Sequence, residues 1–187
     1  MDSPAVDPTD ADPSRLALAR AIHAHAHITG TFTLRSGAIS HEYFDKYLFE
    51  AEPRLLRSIA EALAARLPRD IDALAGLELG GVPIATVLSQ ICSLPTRFVR
   101  KQAKEYGTMR IAEGGAIAGR RLLIVEDVVT SGGAILDAAR VLREEGAILG
   151  PVVCVIDRES GGAEKLAAEG LVLDPLFRMS ELKAAAG

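Results

Sequence analysis

The stretch from Leu122 to Ala134 constrains this chain more than any other part of its sequence. It reads Leu-Leu-Ile-Val-Glu-Asp-Val-Val-Thr-Ser-Gly-Gly-Ala, so four apolar residues lead into two adjacent acids, two valines, two hydroxyl-bearing residues and two glycines. The apolar run is typical of a buried strand, and a helical pattern follows the glycines. Open α/β sheets bind ligands outside the carboxyl ends of their strands, which is where this pattern places the acids.

The turn after the acids has the chemistry of a phosphate-binding cup. Gly132 and Gly133 carry no side chain, so backbone amides can approach an anion there, and a helix N-terminus adds the positive end of a dipole. Thr130 and Ser131 add hydroxyl donors and are candidates to cap the helix. The acids at 126–127 would repel a phosphate but accept hydrogen bonds from sugar hydroxyls, so the whole pattern predicts a site for a ribose 5-phosphate.

Two common glycine-rich phosphate motifs do not fit this turn. No Lys-Ser or Lys-Thr follows the glycines, as a P-loop requires, and the G-x-G-x-x-G pattern of dinucleotide-binding folds is absent. A purely structural turn with capping residues would explain the glycines and the hydroxyls. It would not explain paired acids directly after four apolar residues, so we favour a ligand site.

Strands and helices alternate along most of the chain. Apolar spacing, capping residues and prolines predict helices over 13–27, 53–67, 82–92, 131–145 and 163–169, and short apolar runs predict strands over 71–75, 96–100, 121–125, 152–156 and 171–177. Two β-prone runs, 31–36 and 41–48, predict paired extended segments, and the polar, glycine-rich stretch 101–119 predicts a functional or disordered loop. This alternation predicts an α/β fold with a parallel sheet flanked by helices.

Composition is that of a globular protein of one domain. The 187 residues are 49% hydrophobic and 25% charged, and residues 1–12, rich in Asp and Pro, predict a flexible tail before a single domain over 13–187. A formal net charge of −4 argues against general nucleic-acid binding.

The chain also lacks the marks of export. No apolar run approaches the ~18 residues of a membrane span, and the acidic start at 1–4 lacks the order of a signal peptide. Cys92 and Cys154 stand far apart in apolar surroundings and favour two buried thiols over a disulfide or a metal site. We therefore expect a cytoplasmic protein that binds neither membrane nor nucleic acid.

The segment Val125–Ala134 resembles the phosphoribosyl diphosphate (PRPP) motif of the type I phosphoribosyltransferases. This resemblance implies the fold of that family, a parallel sheet flanked by helices, with a small hood that recognises the base. The hood elements are expected at about 28–50 and in the C-terminal segment. In the family, the paired acids hold the ribose hydroxyls and the loop after them holds the 5-phosphate.

Three further segments are similar to the orotate phosphoribosyltransferases within that family. Residues 32–37 together with 43–46 resemble their N-terminal signature, 100–107 resembles their mobile catalytic loop, and 157–162 resembles the segment whose arginine binds the orotate carboxylate. A guanidinium suits a carboxylate because it can form two parallel hydrogen bonds with it. Two departures are Arg35, where some members have lysine, and Tyr106, where some have histidine.

The resemblance implies a role for each matching residue. The catalytic residues are Lys104 and Asp127. PRPP is bound by Arg100, Lys101, Lys104, Tyr106, Glu126, Asp127, Val128, Val129, Thr130, Ser131, Gly132, Gly133 and Ala134. Orotate is bound by Thr130, Arg158, Phe44 and Lys46, and the turn with Gly80 and Gly81 cradles diphosphate. Mg²⁺ is the implied cofactor and is held mainly through PRPP, and a homodimer is implied in which the loop 101–115 reaches the other subunit.

Three different functions compete with this interpretation. A phosphoribosyltransferase for a purine or for uracil would share the PRPP motif, but its base has no carboxylate to pair with Arg158. The second is a regulator that senses PRPP while contacting RNA or DNA, and the third is a sugar-phosphate-binding protein without transfer activity.

His23, His25 and His27 resemble a metal cluster, but only His23 and His27 share a helix face and no zinc motif is completed.

Overall fold

The computed structural model describes residues 13–33, 37–101 and 111–187. The helices in these ranges are α1 (Pro13–Ala26), α2 (Lys46–Ala51), α3 (Pro53–Ala64), α4 (Gly81–Cys92), α5 (Gly133–Glu144), α6 (Gly162–Ala168) and α7 (Met179–Ala186). The strands are β1 (His27–Thr33), β2 (Ile39–Phe44), β3 (Ala73–Leu77), β4 (Thr96–Val99), β5 (Ala112–Glu113), β6 (Arg121–Val129), β7 (Ile148–Asp157) and β8 (Leu173–Arg178). Among these helices, none has both the length and the apolar character needed to cross a membrane.

The main sheet has the strand order β5-β4-β3-β6-β7-β8. Strands β4, β3, β6, β7 and β8 run parallel, with β3 and β6 at the centre. The short β5 pairs antiparallel with β4 at one edge, inside the stretch 101–119 that the sequence predicts as a loop. The predicted parallel sheet flanked by helices is thus confirmed, with one antiparallel edge strand that makes it mixed.

Helices cover both faces of this sheet, and the alternation of side chains along β6 shows how. Leu123 and Val125 point into a core shared with α1, α3 and α4, whereas Leu122 and Ile124 point into a second core shared with α5 and α6. A strand buried on both faces reads as a continuous apolar run, which is why the run 122–125 marks the centre of the sheet.

The hood begins with a separate hairpin, in which β1 pairs antiparallel with β2. The sequence predicts an extended run over 41–48, but this prediction is wrong in its second half, because the strand ends at Phe44 and α2 starts at Lys46. Asp45 causes the change: its side chain accepts a hydrogen bond from the amide of Tyr47 at 3.1 Å and so caps the helix. The run 31–36 is extended as far as residue 33, and 34–36 lie outside the described residues.

Two further elements differ from the sequence predictions. Strand β6 continues through the acids to Val129 instead of ending at Val125, because β7 pairs with it along its whole length, up to Val129 beside Asp157. The helix α7 is absent from the sequence predictions. It packs beside α1, where Arg15 and Glu181 form an ion pair of 2.8 Å, and it buries Leu182.

Candidate active site

A cavity of about 510 Å³ lies at the carboxyl edge of β3, β4 and β6. Its lining residues are Leu77, Glu78, Val99, Arg100, Lys101, Ile111, Glu126, Ala134, Asp137, Ala138, Arg140 and Val141. Four of these are predicted PRPP ligands, and they come from three separate segments of the chain. The fold therefore brings two cations of the predicted loop to the same cavity as one acid and the start of α5.

The two acids of the motif occupy opposite faces of β6. Successive residues of a strand point to opposite faces of the sheet, so Glu126 lies on the α5 side, where it lines this cavity. Asp127 lies on the other side, where its carboxylate meets Lys46 of the hood, with 2.5 Å between Nζ and Oδ2. Neighbouring acids in the sequence thus have different surroundings, one at the cavity and the other against the hood.

Asp127 is fully buried and is nevertheless held as a carboxylate. Burial acts to raise the pKa of Asp127, but hydrogen bonds with Glu126 and with Lys46 outweigh burial and bring the pKa below its usual value. Oδ1 accepts a further hydrogen bond from the amide of Val128 at 2.5 Å. Burial also opposes the charge on Lys46, but its hydrogen bond and charge interaction with Asp127 raise the pKa of Lys46.

Glu126 has the opposite protonation behaviour. Burial, a hydrogen bond to Asp127 and the negative charge of Asp127 raise the pKa of Glu126 to about 9. One of its oxygens, Oε1, accepts a hydrogen bond from the amide of Asp127 at 3.1 Å. At neutral pH the pair therefore consists of one neutral carboxyl and one carboxylate, so it can both donate to and accept from hydroxyl groups.

The predicted phosphate turn joins β6 to α5 in an open conformation. Gly132 is the N-cap of α5 with φ of 74°, in the left-handed region that favours glycine, and no side chain caps the helix. The sequence offers Thr130 and Ser131 as caps, but the structure leaves both residues exposed outside the helix. Gly133 is exposed as well, and a Cβ placed on it would find its nearest heavy atom, Ser131 Oγ, 3.8 Å away.

The turn with Gly80 and Gly81 connects β3 to α4, and both glycines are buried. A Cβ on Gly80 would lie 1.5 Å from Oδ2 of Asp127, and a Cβ on Gly81 would lie 2.2 Å from the carbonyl oxygen of Val125. These glycines therefore let the turn pack against the end of β6. The role of Gly80 and Gly81 in cradling diphosphate stays a prediction. The exposed residue of this turn that lines the cavity is Glu78, and its Oε2 accepts a hydrogen bond from the amide of Lys101 at 3.0 Å.

The segment 157–162 is fastened to the phosphate turn. The amide of Arg158 donates to the carbonyl of Val129 at 2.9 Å, and a Cβ on Gly162 would lie 2.5 Å from the carbonyl oxygen of Thr130. Glu159 holds the other side of the segment, because its carboxylate accepts hydrogen bonds from the amide and the hydroxyl of Ser180, at 2.9 and 3.0 Å. Arg158 is thus placed by both β6 and α7.

A second cavity, of about 440 Å³, lies between the hood, Arg158 and α7. It brings together Phe44 and Arg158, two of the predicted orotate ligands, and it also exposes His23, His27 and Lys183. Lys46, a third predicted ligand, is paired with Asp127 instead of lining this cavity. Cationic and aromatic side chains around this opening suit a flat anionic ring, and the acid in the lining, Glu42, is paired with His27 at 2.9 Å.

Sequence reasoning missed one side chain of this region and could not place several others. Glu50 is buried on α2, one helical turn after Lys46, and interacts with Asp127. The spacing of Lys46 and Glu50 would have indicated that Glu50 faces the same site if 45–51 had been recognised as a helix.

Lys104 and Tyr106 lie outside the described residues, as do Arg35 and Arg110. Within the described ranges, no group of three or more metal-ligating side chains is clustered.

Comparison with known proteins agrees with this geometry. The family model described as a phosphoribosyl transferase domain matches residues 49–172. The orotate phosphoribosyltransferase of Nocardioides sp. is 53% identical over 168 residues, which cover 90% of this chain and 94% of that protein. The crystal structure of Mycobacterium tuberculosis H37Rv orotate phosphoribosyltransferase in complex with PRPP has a TM-score of 0.79 at 28% identity and covers 91% of this chain and 99% of that chain.

A second crystal structure of the Mycobacterium tuberculosis H37Rv protein, in complex with inorganic phosphate, has a TM-score of 0.82 at 28% identity over 92% of this chain and 99% of that chain. The fold and the family match together define a phosphoribosyltransferase domain. Within that class, the chain belongs to the orotate phosphoribosyltransferase family, as the sequence resemblance predicts.

Proposed function

We propose that this chain transfers the phosphoribosyl group of PRPP to orotate, giving orotidine 5′-monophosphate and diphosphate, a step of UMP synthesis. The observation that carries the proposal is a pair of cavities on neighbouring strands, one lined by Glu126 of β6 and the other by Arg158, which directly follows β7. One cavity contains Arg100, Lys101 and Glu126, and the other contains Phe44 and Arg158. The phosphate turn directly follows β6, whose Val129 carbonyl accepts a hydrogen bond from the amide of Arg158.

The phosphoribosyl group is held at the end of β6. The turn from Thr130 to Ala134, exposed except at Gly132, supplies amides at the start of α5 for the 5-phosphate, where the helix dipole favours an anion. The neutral carboxyl of Glu126 and the carboxylate of Asp127 bind the ribose hydroxyls. Bond breaking at C1 leaves positive charge on the sugar, and the buried carboxylate of Asp127 stabilises that charge.

The leaving diphosphate requires positive charge. Arg100 and Lys101 supply it in the cavity beside Glu126, and we assign the same task to Lys104 and a hydrogen bond to Tyr106 on the strength of the family resemblance. Closure of the loop 101–115 over the site would exclude water, which otherwise hydrolyses PRPP. The turn with Gly80 and Gly81 completes the diphosphate site from β3.

Mg²⁺ fits the cavity as an ion that arrives with PRPP. Mg²⁺ prefers phosphate oxygens and water to a dedicated protein cage, and the cavity wall offers oxygen donors of the right type in Glu78 and Asp137. When bound, Mg²⁺ neutralises charge on the leaving diphosphate. The carboxylate of Glu78, which faces a site for an anion, is compensated in this chain by the amide of Lys101.

Orotate binds in the second cavity, against Phe44 and with its carboxylate on Arg158. Thr130 reaches the base from the phosphate turn. Lys46 contributes a positive charge from its place beside Asp127, between the ribose and the base.

We further propose that residues 13–187 form one domain, with the hood at about 28–50 and in the C-terminal segment. The protein works in the cytoplasm as a homodimer in which the loop 101–115 reaches the partner.

The loss of orotate absorbance in the presence of PRPP and Mg²⁺ tests the reaction, with uracil, adenine and hypoxanthine as competing bases. Orotate should be the base consumed, with release of diphosphate. Arg158→Met should raise KM for orotate at least about tenfold, since a lost charge-assisted hydrogen bond costs about 1.5–3 kcal/mol. Arg57→Met is the matched control, because Arg57 pairs with Glu61 on the surface of α3.

Two results would contradict the proposal. Transfer to another base but not to orotate would assign the site to a different phosphoribosyltransferase. An unchanged KM for orotate in the Arg158→Met protein would remove Arg158 from the base pocket.

A further inference from the structure

A third carboxyl stands beside the acid pair and has no role in the proposed reaction. Glu50 belongs to α2, four residues after Lys46, so both side chains lie on one face of that helix. Only 7% of Glu50 is exposed, and its carboxyl lies within hydrogen-bonding reach of Asp127. Oε1 of Glu50 is buried and receives no hydrogen bond from a donor among the described residues, and the same holds for Oδ2 of Asp127 apart from its ion pair with Lys46.

Charge balance decides the state of this cluster. Among the described residues, three carboxyls, those of Glu50, Glu126 and Asp127, share one neighbouring cation, Lys46. Carboxyls in such contact cannot all ionise, and a hydrogen bond between two of them requires a proton on one. Asp127 takes the charge because it has the ion pair of 2.5 Å with Lys46 and an amide donor.

The surroundings of Glu50 keep the proton on it. Burial, its hydrogen bond to Asp127 and the charge of Asp127 raise the pKa of Glu50 to about 9. The charge of Asp45, the N-cap residue of α2, also raises the pKa of Glu50, whereas the charge of Lys46 lowers it. Glu126 reaches the same Asp127 from β6 and is itself neutral.

We propose that Glu50 is a positioning residue of the ribose site, whose neutral carboxyl donates a hydrogen bond to Asp127 and fixes that carboxylate against Lys46 and Gly80. The proposal rests on the assignment of Asp127 to PRPP binding. It explains why an acid is buried at this place. A residue that only filled space there would be apolar, because burying a carboxyl costs free energy that a leucine side chain would not.

Three substitutions separate donation, charge and volume. Glu50→Gln keeps a donor of the same shape and cannot ionise, whereas Glu50→Leu keeps the volume and removes the donor. We expect Glu50→Gln to keep KM for PRPP within about threefold of the wild type at neutral pH, and Glu50→Leu to raise it about tenfold, the effect of one hydrogen bond to a charged group. Glu61→Gln is the control, because Glu61 is an acid on the surface of α3, paired with Arg57.

The pH profile gives a readout that a purely structural role would not move. As the pH rises through about 9, Glu50 loses its proton, so the donor to Asp127 is lost and a like charge appears beside it. KM for PRPP in the wild type should therefore rise over this range. The rise should be smaller in Glu50→Gln, which leaves Glu126 as the carboxyl of this cluster that titrates near the same pH.

The proposal is overturned if Glu50→Gln raises KM for PRPP as much as Glu50→Leu, or if its alkaline profile equals that of the wild type. If Glu50→Leu does not fold, the pH profile of Glu50→Gln alone decides. Calorimetric titration of the wild type with PRPP and Mg²⁺ distinguishes a failure of the proposed function from a failure of the proposed role of Glu50. Binding without transfer to orotate contradicts the proposed function, and the Kd for PRPP of the same variants then decides the role of Glu50.

Discussion

Two turns of this protein have the same sequence signature and opposite environments. Each joins a central strand to a helix through a pair of glycines, Gly80-Gly81 before α4 and Gly132-Gly133 before α5. At the first turn both glycines are buried, and a Cβ on Gly80 would overlap the carboxylate of Asp127. At the second turn Gly133 is exposed, with nothing closer than 3.8 Å to a Cβ placed on it.

The difference shows that a glycine pair can be required for reasons the sequence does not distinguish. The first pair makes room for another part of the protein, since its turn must lie against Asp127 and the carbonyl of Val125. The second pair combines one backbone requirement, the φ of 74° at Gly132, with one open position at Gly133. Only an open position leaves space for a ligand, so the second turn is the better anion site.

The largest effect that this comparison predicts is that of Gly80→Ala. Gly80 has φ of −68°, which alanine adopts without strain, so the whole cost comes from the clash with Asp127. Overpacking of this severity costs about 3 kcal/mol, and we expect urea unfolding to show a loss of that size. Since Asp127 must move, KM for PRPP should rise as well.

A double-mutant cycle checks the cause of that loss. In an Asp127→Ala background the overlapping oxygen is gone, so Gly80→Ala should cost clearly less free energy of unfolding than it does in the wild type. Equal costs in the two backgrounds would show that the clash with Asp127 is not what requires glycine at this position.

Gly132→Ala should have an intermediate effect. A left-handed residue with a Cβ costs about 1–2 kcal/mol, and this Cβ would also press at 3.3 Å on the carbonyl of Gly162 and on Leu166. Gly161 isolates the first contribution, because its φ is 80° and a Cβ there would meet nothing within 4 Å. Denaturant unfolding should therefore rank Gly132→Ala as more destabilising than Gly161→Ala, and the reverse order would mean that the packing against α6 is unimportant.

Sequence reasoning located the strand, turn and helix that carry the predicted phosphate turn because local chemistry defines them. The strand 122–125, the acids after it and the glycines before a helix are contiguous, so the order of residues alone specifies their order in space. The same reasoning could not show that Glu126 and Asp127 lie on opposite faces of β6, one lining a cavity and the other paired with Lys46. It ended β6 at Val125, and only the pairing with β7 reveals that the acids continue the alternation of the strand.

The hood was predicted less well because its structure depends on a single cap and on distant partners. Residues 41–48 have β-prone composition, and one hydrogen bond from Tyr47 to Asp45 turns their second half into a helix. That helix presents Lys46 and Glu50 to Asp127, which is about 80 positions away in the sequence. A contact over such a separation leaves no local pattern, so neither the ion pair nor the third acid could be foreseen.

The smallest effect on stability, and the sharpest test of the comparison, is that of Gly133→Ala. Gly133 is the first residue of α5, with space around its Cα, so alanine should leave the protein as stable as before or more stable by about 0.4–1 kcal/mol, through the lower entropy of its unfolded chain. Thermal unfolding without ligand measures this. If the open position exists for the 5-phosphate, KM for PRPP should rise by about fivefold or more, because a methyl group keeps the anion from the amides, while KM for orotate stays as it was. A variant that is as stable as the wild type and binds PRPP equally well would place the phosphate elsewhere, and the contrast between the two glycine pairs would then reduce to packing alone.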